Sequence, residues 1–342
     1  MLCLFILSLT SAQQNTTFSI KGRVIDNETG LPMENVNVFL TNTTIGTATG
    51  KNGEFIIKNV PPGTYDIIFS YVGFEMQKRN VKADKNETLT FNISLRQKII
   101  NLSPVEITGK ASGDWEDNLK LFTNIFIGET DNSDMTKILN PEDINFTEAK
   151  NSDILRASAD SVLIIENKSL GYMIYVILDS FSYNRSDNSI KYVDYSRFRE
   201  LIPESADEKT EWEENRQKTY LDSPRYFFYQ LVHKQLYKNV YVIYQGTFNE
   251  LRYRGGTEVK EDDLNVTTNK DSTNYILNFS GSLKIEKRYT SEKSILTFYN
   301  PVTEIDEYGN FLKPFYTVEI YGYWSKQGLA DLLPKNYVYT GD

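Results

Sequence analysis

The stretch Phe18–Asp26, Phe-Ser-Ile-Lys-Gly-Arg-Val-Ile-Asp, followed by Asn27-Glu28-Thr29-Gly30, sets the pattern for the whole first quarter of the chain. A short run with apolar residues on alternate positions stops at an Asx-type turn, and the turn ends in a glycine able to take positive φ. The same sentence is then repeated with variations. Val36, Val38 and Leu40 alternate with polar residues, and Thr43–Thr49 is Thr-rich. Gly50-Lys51-Asn52-Gly53 is a hairpin signal before Phe55–Val60. Pro61-Pro62-Gly63 stops the ladder, because proline has no N–H to donate. Tyr65–Tyr71, Phe74–Val81 and Leu89–Leu95 complete the series. Seven short runs with turns between them predict an all-β, seven-stranded Greek-key sandwich over 13–96.

The motifs that carry a family resemblance lie in the same stretch. They are Gly22-Arg23-Val24-Ile25-Asp26, Thr29-Gly30-Leu31-Pro32, Asn35-Val36-Asn37-Val38, Gly46-Thr47-Ala48-Thr49, Gly53-Glu54-Phe55, Val60-Pro61-Pro62-Gly63-Thr64-Tyr65 and Ser70-Tyr71-Val72-Gly73-Phe74. In this order and spacing they resemble the carboxypeptidase-like regulatory domain family. The resemblance implies a transthyretin-like sandwich and a non-catalytic module without a zinc site. The stretch is also similar to the N-terminal extension of TonB-dependent outer-membrane receptors of Bacteroidetes. Leu102-Ser103-Pro104-Val105-Glu106-Ile107-Thr108-Gly109 looks like the segment that joins such an extension to the receptor plug. The 342 residues leave too little chain for a plug and a barrel. The signature glycines and prolines shape turns and the aromatics fill a core, so none is read as a site.

Bulk properties narrow the rest. The length predicts two domains. The composition, 40% hydrophobic and 24% charged, is that of a globular protein. A net charge of -9 argues against a nucleic-acid partner, which needs a basic face to displace counterions. The 23 tyrosines and 19 phenylalanines favour sheets and recognition surfaces. Leu2–Leu9 followed by Ser11-Ala12-Gln13 reads as a signal peptide over 1–12, cut after Ala12, although no Lys or Arg precedes the apolar core. The protein is therefore expected to be exported, to the periplasm or the outer-membrane surface. Cys3 leaves with the leader, so the mature chain holds no cysteine and no thiol nucleophile. No further apolar run is long enough to form a transmembrane helix.

Behind a linker at 97–114, residues 115–342 predict an α+β domain with a mainly antiparallel sheet. Trp115, Leu119, Phe122 and Phe126 form one helical stripe that ends near Gly128. Asp131-Asn132-Ser133-Asp134 reads as a polar loop. Ser161–Glu166 and Gly171–Phe181 read as a hairpin whose second strand is apolar on both faces and hence central. Ser189–Tyr195 is expected to pair next. Ser205 with Glu208 predicts a capping box before a polar helix anchored by Trp212. Ser223-Pro224 opens a helix with Phe227, Phe228, Leu231, Val232 and Leu236 on its buried face. Four strands near 240–299, a turn at Tyr308-Gly309-Asn310, a strand over Phe315–Tyr323 and a helix over Ser325–Leu333 close the chain. This domain resembles exported Bacteroidetes proteins that carry the same module, a likeness that implies no activity.

The search for chemistry returns little. His233 is the only histidine, which removes most zinc sites, and it falls inside the helix after Ser223. No nucleophile elbow or phosphate loop occurs, and Arg254-Gly255-Gly256 reads as a loop. Asp131–Asp134 and Glu261-Asp262-Asp263 lack EF-hand spacing and read as solvated loops. No metal and no cofactor are expected. Were the chain an enzyme, it would be a carboxylate-dependent polysaccharide hydrolase, with Asp179 and Asp153 as first candidates and Asp160 and Glu166 behind them. The aromatic cluster Tyr321, Tyr323 and Trp324 is the candidate binding surface. The reading favoured by these observations is a non-enzymatic envelope protein whose partner is an outer-membrane protein, another envelope protein or a glycan.

Overall fold

The computed structural model describes residues 18–83, 87–98, 112–148, 153–236, 241–249, 252–269, 274–313 and 318–341. The expected leader and residues 99–111 of the expected linker lie outside them. The described residues fall into two compact units, 18–38 with 47–97, and 39–46 with those from 98 on.

The first unit is the seven-stranded sandwich. Its strands are β1 (Phe18–Asp26), β2 (Asn37–Leu40), β3 (Gly46–Ala48), β4 (Glu54–Val60), β5 (Gly63–Ser70), β6 (Gln77–Ala83) and β7 (Thr88–Leu95). One sheet runs β4-β1-β7 and the other β3-β2-β5-β6. β1 lies antiparallel to β4 and parallel to β7. Ile20, Val24, Ile57, Ile67, Phe69, Ile93 and Leu95 are buried. Phe55 of β4 meets Phe69 of β5 edge to face at 5.6 Å, so the two sheets interlock. Two motif glycines answer to close backbone approach. A Cβ on Gly22 would lie 1.8 Å from the Phe91 carbonyl oxygen, and one on Gly53, at φ 72°, would lie 2.3 Å from that of Val24. The Asx turn forms as expected, with Asp26 Oδ1 accepting from the Glu28 and Thr29 amides and Gly30 at φ 69°.

Beyond residue 98 the first described element of the second unit is α1 (Ser112–Ile127), which starts inside the stretch read as linker. Phe122 and Phe126 are buried and stack at 5.0 Å. The presumed polar loop at 131–134 is instead one helical turn, α2 (Asp131–Asp134), whose first turn is tied by Ser133 to Thr130. Six strands follow: β8 (Thr136–Ile138), β9 (Ile144–Glu148), β10 (Ile154–Ala159), β11 (Leu163–Asn167), β12 (Tyr172–Asn184) and β13 (Ser189–Glu200). Their order is β8-β11-β12-β10-β9, with β13 along the other edge of β12. β12 is central as expected, but not because both faces are equally apolar. Tyr172, Ile174, Val176 and Leu178 are buried, while Met173, Tyr175 and Ile177 are half-buried.

α3 (Ala206–Leu221) and α4 (Pro224–Val232) come next. Ser205 caps α3 through the Glu208 amide, 3.1 Å away, but the expected reciprocal bond is displaced by one residue. The Glu208 carboxylate accepts from the Glu204 amide at 2.6 Å. Ser223 accepts from the Tyr226 amide, and Pro224 occupies the first turn of α4.

Nine strands complete the unit: β14 (Tyr241–Asn249), β15 (Arg252–Val259), β16 (Asn265–Thr268), β17 (Tyr275–Asn278), β18 (Gly281–Lys287), β19 (Lys293–Phe298), β20 (Val302–Ile305), β21 (Phe311–Lys313) and β22 (Val318–Gly322). They form the sheets β15-β14-β18-β19-β22 and β16-β17-β20-β21. Arg254-Gly255-Gly256 is therefore strand and not loop. β14 pairs with it across a bulge, and the glycines take φ 90° and 156°. The closing helix expected over Ser325–Leu333 is two 3₁₀ turns, Trp324–Lys326 and Leu329–Asp331. The break has a cause. Gln327 pairs with Gly128, and a Cβ on Gly328 would lie 2.5 Å from the Ile127 carbonyl, so this backbone runs against the end of α1 and cannot coil through.

Candidate functional site

The second unit holds a half-open cavity of about 310 Å³. Its walls come from β13, the α3–α4 junction, the Gly309–Phe311 turn and the segment after Gln327, with Asn42 also present. Apolar side chains dominate, among them Phe311, Ile320, Leu329, Leu332 and Leu333.

β13 contributes the polar part. Tyr192, Asp194 and Ser196 occupy alternate positions, opposite Phe181, Leu178 and Val176 of β12, so they share one face. That face is the inner one, because the Tyr192 ring lies 5.3 Å from Phe126 of α1. Asp194 accepts a short hydrogen bond from the Ser196 hydroxyl. Burial pushes the Asp194 carboxyl above the usual carboxylate range, and the Ser196 bond only partly opposes it. Tyr192 keeps 42% of its surface open, yet burial drives its hydroxyl pKa up. Tyr192 lines the half-open cavity.

The other charged residues of the wall are Arg225, Asp331 and Lys335, and the first two are engaged within the fold. The Arg225 guanidinium donates to the carbonyls of Tyr308, Pro334, Lys335 and Tyr337 at 3.0–3.2 Å, fastening the last described segment. Asp331 accepts from Thr130 Oγ1 and Asn132 Nδ2, both at 2.8 Å, and burial raises its pKa. Asn132 also receives the Ser169 hydroxyl at 2.5 Å. The 131–134 turn is thus a structural knot.

The residues singled out in the sequence stand elsewhere or perform other tasks. Asp179 is exposed and sits at the bulge between Leu178 and Ser180, where β13 skips it. Asp153 is exposed before β10, with its carbonyl holding the Arg185 amide. Asp160 is exposed too, and Glu166 lies 3.9 Å from Lys168. None of the four lines the cavity. Tyr321 donates to Glu319 at 2.6 Å and packs 4.5 Å from Phe248. Tyr323 donates to the Asp222 carboxylate. Trp324 is 5% exposed, packs on Phe227 and Tyr241, donates Nε1–H to the Asp222 carbonyl, and also borders the cavity. Tyr323 and Trp324 are thus both tied to Asp222, whereas Tyr321 is tied to Glu319 and Phe248. His233 caps α4, with Nε2 2.8 Å from the Glu307 carbonyl. Glu261 is buried and receives the Leu236 amide. Among the described residues no cluster of three metal-ligating side chains forms, and no helix is long and apolar enough to cross a membrane.

Asp194 and Tyr192 were missed by the sequence reading. The available signal was register: Tyr192, Asp194, Ser196 and Phe198 share parity, and a carboxylate in a series that ends in a buried aromatic is out of place.

Comparison with known proteins bears on the first unit. Residues 20–107 match the family model of the CarboxypepD_reg-like domain. A TonB-dependent receptor, P39 of Formosa agariphila, is 30% identical over 105 residues, which is 31% of this chain and 9% of that receptor. Solved structures similar in part include 5-hydroxyisourate hydrolase of Klebsiella pneumoniae, at 18% identity over 24% of this chain and 98% of that one, TM-score 0.20. The pilus 2b backbone protein of group B streptococcus matches at 16% identity over 24% and 42% of the two chains, TM-score 0.21. The seven-stranded sandwich at the start of the described chain is a CarboxypepD_reg-like domain.

Proposed function

We propose that this is a non-enzymatic, exported protein of the cell envelope. In this reading the sandwich is an interaction or spacer module, and the second unit binds a protein partner or a glycan. The observation that carries it is the CarboxypepD_reg-like domain, together with its similarity over 105 residues to a TonB-dependent receptor. The dispersal of the candidate carboxylates agrees with it. Asp179 and Asp153 stand exposed and outside the cavity, whereas a hydrolase holds its two carboxyls across one bond.

The test is recovery of partners from solubilised cell envelope with residues 13–342 as bait, read by mass spectrometry. Stoichiometric capture of an outer-membrane barrel or lipoprotein is expected. Turnover of any polysaccharide or peptide by the purified chain would overturn the non-enzymatic part. Loss of that turnover in Asp179→Asn or Asp153→Asn would establish the hydrolase instead.

A further inference from the structure

Asp194 is an ionisable group on the inner face of a sheet, beside a cavity, without a counter-ion. Its hydrogen-bond donor, Ser196, is neutral. Among the described residues no Lys, Arg or His forms an ion pair with it. Arg225, which also lines the cavity, aims its guanidinium at four backbone carbonyls. Asp194 is half-buried, and a carboxylate partly withdrawn from water favours a proton or a cation, since part of its solvation is lost. A second polar group is in the same position, for the side-chain oxygen of Asn42 is buried with no hydrogen-bond partner. Both groups are acceptors, and both belong to the cavity wall.

The rest of the wall defines what would bring the missing donor. The volume of about 310 Å³ is at the small end of ligand pockets. Leu329, Leu332 and Leu333 are apolar, and Tyr192 offers a ring surface of the kind that attracts cations. Asp331, Arg225 and Lys335 are also on the wall, so it carries charge of both signs, and the selection falls to Asp194, whose hydrogen-bond donor Ser196 is neutral.

We propose that this cavity binds a small organic ammonium ion, with Asp194 as its counter-ion and the leucine wall around its apolar body. The inference does not depend on the envelope reading above. An ammonium group carries three donors, enough for the Asp194 carboxylate and one further acceptor. A neutral alcohol of the same shape fills the space but supplies no charge.

The experiment is calorimetric titration of the full chain with benzylamine, and with benzyl alcohol as the uncharged isostere. Saturable one-to-one binding of benzylamine is expected, at least about tenfold tighter than benzyl alcohol, as one charge-assisted hydrogen bond requires. Asp194→Asn is expected to remove that preference, while Asp179→Asn keeps it. Equal affinity for the two probes, absence of benzylamine binding, or an Asp194→Asn variant that retains the preference would each overturn the proposal. The comparison of probes on the unaltered chain decides the matter even if the variant fails to fold.

Discussion

Replacement of Asp222 by alanine is expected to destabilise the second unit by about 2–3 kcal/mol. Asp222 follows α3 and joins the helices to the sheet β15-β14-β18-β19-β22. Its Oδ1 receives Lys287 Nζ at 2.6 Å, and Oδ2 receives the Tyr323 hydroxyl. Its backbone carbonyl receives Trp324 Nε1 and Gln327 Nε2, both at 3.0 Å. The alanine variant retains the carbonyl bonds, so only the two carboxylate bonds count. The Tyr323 bond is charge-assisted and lies in a half-buried place, worth about 1.5–2 kcal/mol. The Lys287 bond is worth less, about 1 kcal/mol. The Lys287 side chain is 30% exposed, and Glu292 remains 3.4 Å from its ammonium. Asparagine keeps one acceptor for Tyr323 and should lose only about 1 kcal/mol. Urea unfolding followed by tryptophan fluorescence measures this cleanly. Trp115, Trp212 and Trp324 are the three tryptophans of the chain, and all belong to the second unit. A double-mutant cycle with Tyr323→Phe should give a coupling of about 1 kcal/mol. An Asp222→Ala variant within about 0.5 kcal/mol of wild type, the scatter of neutral surface changes, or a cycle without coupling, would refute the reasoning.

Three more outcomes are expected. Gly22→Ala should disrupt the sandwich, because its Cβ would meet the Phe91 carbonyl at 1.8 Å. Hydrogen exchange should show loss of protection in β1 and β7, while the tryptophan transition stays in place; retained protection in β1 contradicts the packing. Phe122→Ala should cost the second unit about 3–5 kcal/mol, since the ring is fully buried against Phe126, Phe146 and Phe181. A fluorescence-monitored loss under about 1 kcal/mol would show that the site collapses around the void. Asp194→Asn should stabilise the protein more at about pH 7 than at about pH 4. The Asp194 pKa is raised on folding, chiefly by burial, so its favourable contribution is complete below the unfolded value of about 3.9 and is lost as pH rises through the folded value. Urea midpoints of both proteins at the two pH values check this, and a pH-independent difference refutes it.

Much of the fold is legible where local chemistry and tertiary packing agree. The turns of the sandwich are written as Asx and glycine signals, because each requires a backbone angle that few residues take. The α1 stripe and the Ser223-Pro224 start of α4 are equally local. β15 was not legible, since Arg254-Gly255-Gly256 has no strand propensity and is ordered by its partner β14. The closing helix failed for the converse reason. Residues 325–333 favour coiling, but the contact of Gly328 with Ile127 prevents it. The aromatic density at 321–324 was visible, and its purpose was not. Which ring packs, and which faces a space, depends on neighbours such as Phe248 and Phe227 that lie far away in sequence.

The sequence by itself determined the identity of the first unit, the positions of its turns and the scarcity of histidine and cysteine that limits its chemistry. These depend on residue type and short spacing alone. Only the tertiary structure decided that Asp179 is passed over at a bulge while Asp194 faces a cavity. A one-residue change of register exchanges the two faces of a strand, and register across β12 and β13 is set by the whole sheet and the helix packed on it.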